Sequence, residues 1–375
     1  MQNYNFMIKP ASTQCNYRCS YCVYADKDDA CEARLTKIMS EETIANLIRI
    51  AVDAPDAEEI TFAFQGGEPT LAGIDYFYFF YTLANMLKKP NQNIFYTMQT
   101  NGSTLNDEWC AFLKECNFLV GISLDGFEAT HDNHRISKEN TGTFEATMRA
   151  IKLLQHYEVD FNVVSVITKT TANLATEIYE FYRKNNFEYI QFLPCLAQNE
   201  DVEDPFALTP RLFATFYNEL FDQWCIDYSA GVYRSVTLID SAIALFSGIV
   251  PQQCGILGFC SPQFVVDADG TVSPCDFHVQ HESTIGNVNE HSVLQLLKNE
   301  MMQKFLSEPK RMSKLCDTCP FTTMCNGNCK RQNRSYFDDT LCGYQEFLKY
   351  AYPNIRVIID HINENKTNPI AEMQS

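Results

Sequence analysis

A chain of 375 residues, 46% hydrophobic and 20% charged, exceeds the length at which a single core usually stops growing. This is the composition of a soluble globular protein with one large domain and a smaller appended one, and it excludes the disordered and fibrous classes. A net charge of -18 argues against sequence-independent nucleic-acid binding, which needs a basic surface for phosphate contacts.

The N-terminus MQNYNFMIKP lacks a basic region followed by an apolar one, so no secretory signal is expected. The most hydrophobic stretch, 77–87, is interrupted by Thr82 and Asn85 and is too short to span a bilayer. The expectation is a cytoplasmic protein with no membrane partner. Sixteen cysteines without an export signal point to metal rather than to disulfides. Cys31, Cys110, Cys116, Cys195 and Cys225 stand singly and read as small buried apolar side chains. The basic residues Lys330, Arg331 and Arg334 read as solvated surface.

In chain order, short β-branched or aromatic runs alternate with helix-patterned ones up to about Leu196, the pattern of successive β-α units with a parallel sheet. Strands are expected at 6–8, 60–65, 94–99, 118–123, 161–168 and 189–193. Ser40 ahead of Glu41, Glu42 and the apolar Ile44, Leu47 and Ile48 predicts one helix start, and Thr143 ahead of 144–157 predicts another. Ligands gather at the carboxyl ends of strands in such folds, where 65–69, 99–102 and 123–126 fall. Beyond Leu196 an acidic stretch (Glu200, Asp201, Glu203, Asp204) precedes two helical segments over 210–246. A soft boundary at 235–250 divides 1–235 from 236–375. In the second part, 263–267 and 271–275 flank Ala268, Asp269 and Gly270, a hairpin signal.

Cys15, Cys19 and Cys22 follow directly on the first expected strand. Three thiolates on one loop reach three corners of an iron–sulfur cube and leave one iron open. A structural zinc site would want a fourth ligand close by, and Cys31 has no zinc-type spacing. Phe64-Gln65-Gly66-Gly67-Glu68-Pro69 puts paired glycines at a strand end, where backbone can approach a ligand closely. His131 and His134, with Asp132 between them, have no further ligand and read as surface groups or as groups behind the ligands. Cys254, Cys260, Cys275, Cys316, Cys319, Cys325, Cys329 and Cys342 suffice for two cubane clusters. The run 316–342 alone could form one zinc ribbon, which leaves three cysteines upstream without a role.

The triplet with Tyr21 and Tyr24 resembles the defining motif of the radical S-adenosylmethionine superfamily. The resemblance implies a partial (β/α)6 TIM-type barrel with a C-terminal, cysteine-rich SPASM domain holding two auxiliary clusters. It further implies that Gly66, Gly67 and Glu68 hold the cofactor's amino group, that Ser123 and Arg135 bind its carboxylate, and that Tyr21 and Leu196 lie beside the adenosine. By the SPASM pattern Cys254, Cys260, Cys275 and Cys329 hold one cluster, and Cys316, Cys319, Cys325 and Cys342 the other.

Met7-Ile8-Lys9-Pro10-Ala11, the run 62–71, Gln99-Thr100-Asn101-Gly102 and Pro274-Cys275-Asp276-Phe277 are similar to the anaerobic sulfatase-maturating enzymes. That resemblance implies three [4Fe-4S] clusters, a 5′-deoxyadenosyl radical from reductive cleavage of S-adenosylmethionine, and oxidation of a cysteine or serine of an unfolded sulfatase to Cα-formylglycine. Asp276 would be the base, and Tyr24 and Gln65 would face the substrate. A small electron-donor protein such as flavodoxin or ferredoxin is implied as a partner. Six β-α units rather than eight would leave a lateral opening for the peptide. The rivals are a thioether-forming SPASM peptide modifier, disfavoured by the fourteen residues ahead of Cys15, and a non-catalytic iron–sulfur redox module.

Overall fold

The computed structural model describes residues 2–24, 38–197, 204–251, 253–277 and 283–365; Cys31 and the acids at 200, 201 and 203 lie outside the described residues. The strands and principal helices run β1 Gln2–Ile8, α1 Glu41–Val52, β2 Ala57–Phe64, α2 Ile74–Leu87, β3 Asn93–Thr100, α3 Asp107–Glu115, β4 Phe118–Ser123, α4 Phe144–His156, β5 Phe161–Ile167, α5 Ala175–Lys184, β6 Tyr189–Pro194 and α6 Pro210–Ser229. They continue with β7 Ser235–Val236, α7 Thr237–Phe246, β8 Phe264–Val266, β9 Thr271–Ser273, β10 Gly286–Asn287 and α8 Gly343–Asn365. All six expected strands form.

The chain divides into two compact units. One comprises Met1–Ser123, His131–Phe161 and Ser261–Glu308, the other Leu124–Thr130, Asn162–Cys260 and Pro309–Ser375. The division at 235/236 follows motifs along the sequence, whereas the hairpin β8–β9 from its C-terminal side lies in the first compact unit.

In the first unit β1 to β4 pair in parallel order, β8 joins β1 in parallel on its free side, and β9 and β10 follow antiparallel. The period-two pattern of β2 buries Ile60, Phe62 and Phe64. Phe6 stacks on Phe264 at 5.0 Å, which seats β8 against β1. Phe64 meets Phe77 at 4.9 Å and Phe80 at 5.0 Å, both from α2. Because three aromatic rings close on each other here, Phe64→Ala is expected to cost about 3–5 kcal/mol in anaerobic denaturant unfolding of the cluster-loaded protein.

Ser40 caps α1 by accepting from Thr43 N (3.2 Å), as its sequence context predicts. Thr143 makes no such cap for α4. Asp132 does it instead, Oδ1 accepting from Thr143 N (2.7 Å) and Phe144 N (2.8 Å). The His131-Asp132 pair therefore serves helix geometry: His131 Nε2 lies 3.0 Å from Thr143 Oγ1, whose hydroxyl donates to Arg135 O at 2.7 Å.

In the second unit β5, β6 and β7 pair in parallel. The long helices α6 and α8 pack through Tyr217 and Phe221 on Phe347, with ring distances of 5.5 and 6.2 Å. Gly343, the first residue of α8, abuts α6: a Cβ there would lie 2.0 Å from Pro210 O. Asp227 is buried but paired, with Arg234 at 3.0 Å, Arg183 at 3.3 Å and a hydroxyl from Tyr179 at 3.0 Å. Among the described residues no helix is long and apolar enough to cross a membrane.

Asp240 at the start of α7 gives a pH prediction. Burial pushes its carboxyl up from 3.8 to about 6, against donated bonds from Ser235 and Tyr233. An acid whose folded-state pKa is raised favours the folded state while protonated, so this contribution is present below about pH 4 and is withdrawn as pH rises to about 6. At 1.36 kcal/mol per unit the withdrawal is on the order of 3 kcal/mol. Asp240→Asn, which keeps the shape without the charge, is expected to raise the thermal midpoint at pH 7.5 by several degrees. An unchanged or lower midpoint refutes the sign.

Candidate active site and metal centres

The cysteine loop is stitched in place by backbone bonds. Arg18 N donates to Ile136 O (2.8 Å), Ser20 N to His134 O (2.9 Å) and Cys22 N to Cys19 O (3.1 Å). Cys15 Sγ receives two N–H groups, from Tyr17 N at 3.3 Å and Asn101 Nδ2 at 3.8 Å. Burial pushes the Cys15 thiol up to about 11, and those two donors oppose it by favouring the thiolate. Asn101 also donates to Asn16 Oδ1 (2.9 Å), and Asn16 donates to Ser103 Oγ (2.7 Å). The end of β3 thus braces the loop, a part for Asn101 that its place in Gln99-Thr100-Asn101-Gly102 does not reveal.

The glycine pair has a different immediate reason from the ligand approach expected of it. A Cβ on Gly67 would lie 1.9 Å from Gln14 O, and one on Gly66 2.8 Å from Ser12 O, so the backbone of the cysteine loop itself crosses both positions. Gly66 also stands at φ +116, where side chains are strained. Gly67 N donates to Ser12 O (3.1 Å) and Glu68 N to Gln14 O (2.7 Å). The Glu68 carboxylate is buried and occupied by the protein. Oε1 accepts from Thr70 Oγ1 (2.6 Å) and Thr100 Oγ1 (2.7 Å), and Oε2 from Asn101 N (2.8 Å). Burial raises its pKa, with these donors opposing.

Arg135 lies over the Tyr21 ring at 5.5 Å, and Ser123 Oγ accepts from Gln99 Nε2 at 3.0 Å. Of the two readings of the histidines, surface or behind the ligands, burial rules out the first: His134 meets Ser20 Oγ through Nδ1 at 2.8 Å and packs on Tyr21 at 5.5 Å. A histidine inside a cluster loop's support has no periodicity that would announce its burial. Leu196 belongs to the second unit, buried just after β6.

Asp276 follows Cys275 beyond β9 and is held by two groups from the start of the chain. Tyr24 OH donates to Oδ2, and Lys9 Nζ pairs with Oδ1 at 2.6 Å. Gln65 hydrogen-bonds Tyr24. Burial pushes the Tyr24 hydroxyl well above the ordinary phenol range and the Asp276 charge pushes it the same way, so Tyr24 stays protonated as a donor. The structure therefore brings together Asp276, Tyr24 and Gln65, and adds Lys9, which sequence reasoning missed.

In the second unit Cys316, Cys319, Cys325 and Cys342 wall one pocket with Phe337 and Tyr344. Gln345 N donates to Cys342 Sγ (3.4 Å). Cys254 and Cys329 both act electrostatically on the Tyr336 hydroxyl, and a Cβ on Gly255 would lie 2.6 Å from Cys329 Cβ. The Lys310 ammonium interacts with the thiols of Cys325, Cys260, Cys329 and Cys316. Cys275 lies in the first unit. All-thiol donor sets with apolar walls and N–H groups aimed at sulfur fit iron–sulfur clusters, whereas hard cations take oxygen.

Residues 10–181 match the model of the radical SAM superfamily and residues 259–320 that of an iron-sulfur cluster-binding domain, SPASM. Fold and cysteine loop together define a radical SAM protein with a SPASM extension. A cysteine-type anaerobic sulfatase-maturating enzyme of Clostridium novyi (strain NT) is 37% identical over 95% of this chain and 96% of its own length. A serine-type enzyme of Bacteroides thetaiotaomicron is 27% identical over 92% and 89%. The solved structure of native anSMEcpe with bound AdoMet and Cp18Cys peptide superposes with a TM-score of 0.88 at 31% identity, covering 96% of this chain and 100% of that one. The chain belongs to the anaerobic sulfatase-maturating enzymes.

Proposed function

We propose that this protein matures sulfatases, oxidising one cysteine or serine of a sulfatase polypeptide to Cα-formylglycine with S-adenosylmethionine and three [4Fe-4S] clusters. The observation that carries it is the Tyr24–Asp276 hydrogen bond, which ties a buried carboxylate to a tyrosine two residues beyond Cys22, the last cysteine of the N-terminal loop. The greater identity to a cysteine-type relative than to a serine-type one favours cysteine as the residue oxidised.

Cys15, Cys19 and Cys22 would hold the first cluster and leave one iron for the cofactor. Cys254, Cys260, Cys275 and Cys329 would hold the second, and Cys316, Cys319, Cys325 and Cys342 the third. When bound, the cofactor on the reduced first cluster supplies a hydrogen-atom acceptor, and the other two clusters supply an electron acceptor. The chain supplies the rest. Gly66, Gly67 and Glu68, with Ser123, Arg135, Tyr21 and Leu196, form the cofactor's binding surface. In this scheme the glycine pair offers backbone groups, since the Glu68 carboxylate is spent on Thr70, Thr100 and Asn101.

Asp276 accepts the proton of the substrate thiol or hydroxyl, for which it must lie within hydrogen-bond reach. Tyr24, kept protonated, and Gln65 orient that group. The substrate residue thus loses a hydrogen atom from its β-carbon, a proton from its thiol or hydroxyl and one further electron; serine gives the aldehyde directly, whereas cysteine gives a thioaldehyde whose hydrolysis consumes water and releases hydrogen sulfide. A small donor such as flavodoxin or ferredoxin would reduce the first cluster, and a cytoplasmic location suits that partner. Mass spectrometry of a sulfatase-motif peptide after anaerobic turnover should find the aldehyde. An internal thioether, or an unmodified peptide beside released 5′-deoxyadenosine, overturns the proposal.

A further inference from the structure

Lys9 sits in Met7-Ile8-Lys9-Pro10-Ala11, just beyond β1, and the function above gives it no part. Its side chain is 1% exposed. A buried ammonium is costly unless paired and hydrogen-bonded. Among the described residues Lys9 Nζ meets no hydrogen-bond acceptor in good geometry; it makes the Asp276 Oδ1 ion pair at 2.6 Å and faces the Tyr24 ring at 4.7 Å. The fold makes room for it deliberately. Lys9 N donates to Val266 O (2.8 Å), tying the end of β1 to the strand that leads into the Asp276 segment. A Cβ on Gly66 would lie 2.9 Å from Lys9 Cγ and 3.2 Å from its Cβ, so the lysine stem occupies the space that glycine leaves.

We propose that Lys9 is a positioning residue for the proton-accepting carboxylate. Resting on the maturase reading, the inference is that the ammonium occupies Oδ1 and thereby turns Oδ2 toward Tyr24 and the substrate. A buried ion pair adds little net stability over an apolar substitute; what it adds here is a single orientation for a carboxylate that has no helix or strand of its own to hold it. Without the ammonium, Asp276 keeps its bond from Tyr24 but is free to rotate. Loss of the hydrogen atom and loss of the proton then fall out of step, because a small misplacement of an acid–base group is expensive.

The test compares aldehyde formed per 5′-deoxyadenosine released, in protein whose iron content matches the wild type, a ratio that discounts any change in cofactor cleavage. Lys9→Met keeps the stem and removes the charge, and its ratio is expected to fall ~10- to 100-fold. Adding Lys9→Met to Asp276→Asn should lower the ratio no further, because one residue acts through the other. An unchanged ratio in the single variant, or multiplying losses in the double, overturns the inference. Should Lys9→Met fail to assemble, Asp276→Glu carries the same test, since it keeps the carboxylate and the lysine but moves the oxygens by one methylene. The ratio should fall comparably, and full coupling in that variant overturns the positional requirement. Wild-type protein that cleaves the cofactor without making aldehyde would instead sink the maturase reading, and the part of Lys9 with it.

Discussion

Replacing Cys19 by alanine is expected to reduce S-adenosylmethionine cleavage to background. The loop 15–22 offers three thiols and no fourth ligand, so a cube that has lost one of them has no stable three-point seat. Among the described residues, the lone cysteines Cys110 and Cys116 are buried in and just after α3. Iron content should fall from about twelve to about eight atoms per chain, since eight of the proposed ligands are untouched. Cys319→Ala should produce the same fall in iron with the opposite pattern of activity, cleavage persisting while aldehyde yield drops. Release of 5′-deoxyadenosine by the Cys19→Ala protein at the wild-type rate would refute the assignment of the triplet.

Asp276→Asn is expected to lower aldehyde formation by about 10²–10⁴-fold, the usual contribution of a positioned general base. Its effect should fall on the product and spare cofactor cleavage, because the carboxylate touches Tyr24 and Lys9 and not the cysteine triplet. The amide keeps the shape and still accepts from Tyr24, but it has no charge to offer Lys9, which is left buried beside a neutral group. Some loss of thermal stability should accompany the loss of activity. Quantitative peptide oxidation by this variant would remove Asp276 from the proton-accepting position.

The strands were readable because their residues alternate or run apolar between turn signals, and β4 begins and ends where Phe118 and Ser123 suggest. β7 and β10, at two residues each, carry no periodicity at all. The hairpin was visible from Asp269 and Gly270, yet not its parallel seat beside β1, which depends on Phe6 stacking on Phe264 across most of the chain's length. The candidate metal ligands stand out because cysteine spacing is sparse and chemically specific. The groups supporting them do not. Glu68 reads as a ligand-facing acid and its carboxylate also accepts from Thr70, Thr100 and Asn101, His134 reads as surface or as a group behind the ligands and is buried, and Lys9 follows an apolar strand with nothing local to say that it stays inside.

Gly343 shows how one missing methyl group links chemistry to mechanics. It follows Cys342 directly and lets α8 start against Pro210 O, with Tyr217, Phe221 and Phe347 continuing the contact along α6. The thiol at the pocket wall is thus anchored by a helix pair as well as by its own loop, where Cys342 bridges Phe337. On heating, bleaching of the visible charge-transfer bands of the cluster proposed at Cys342 should coincide with melting of that pair, so colour would report the unwinding of the two helices.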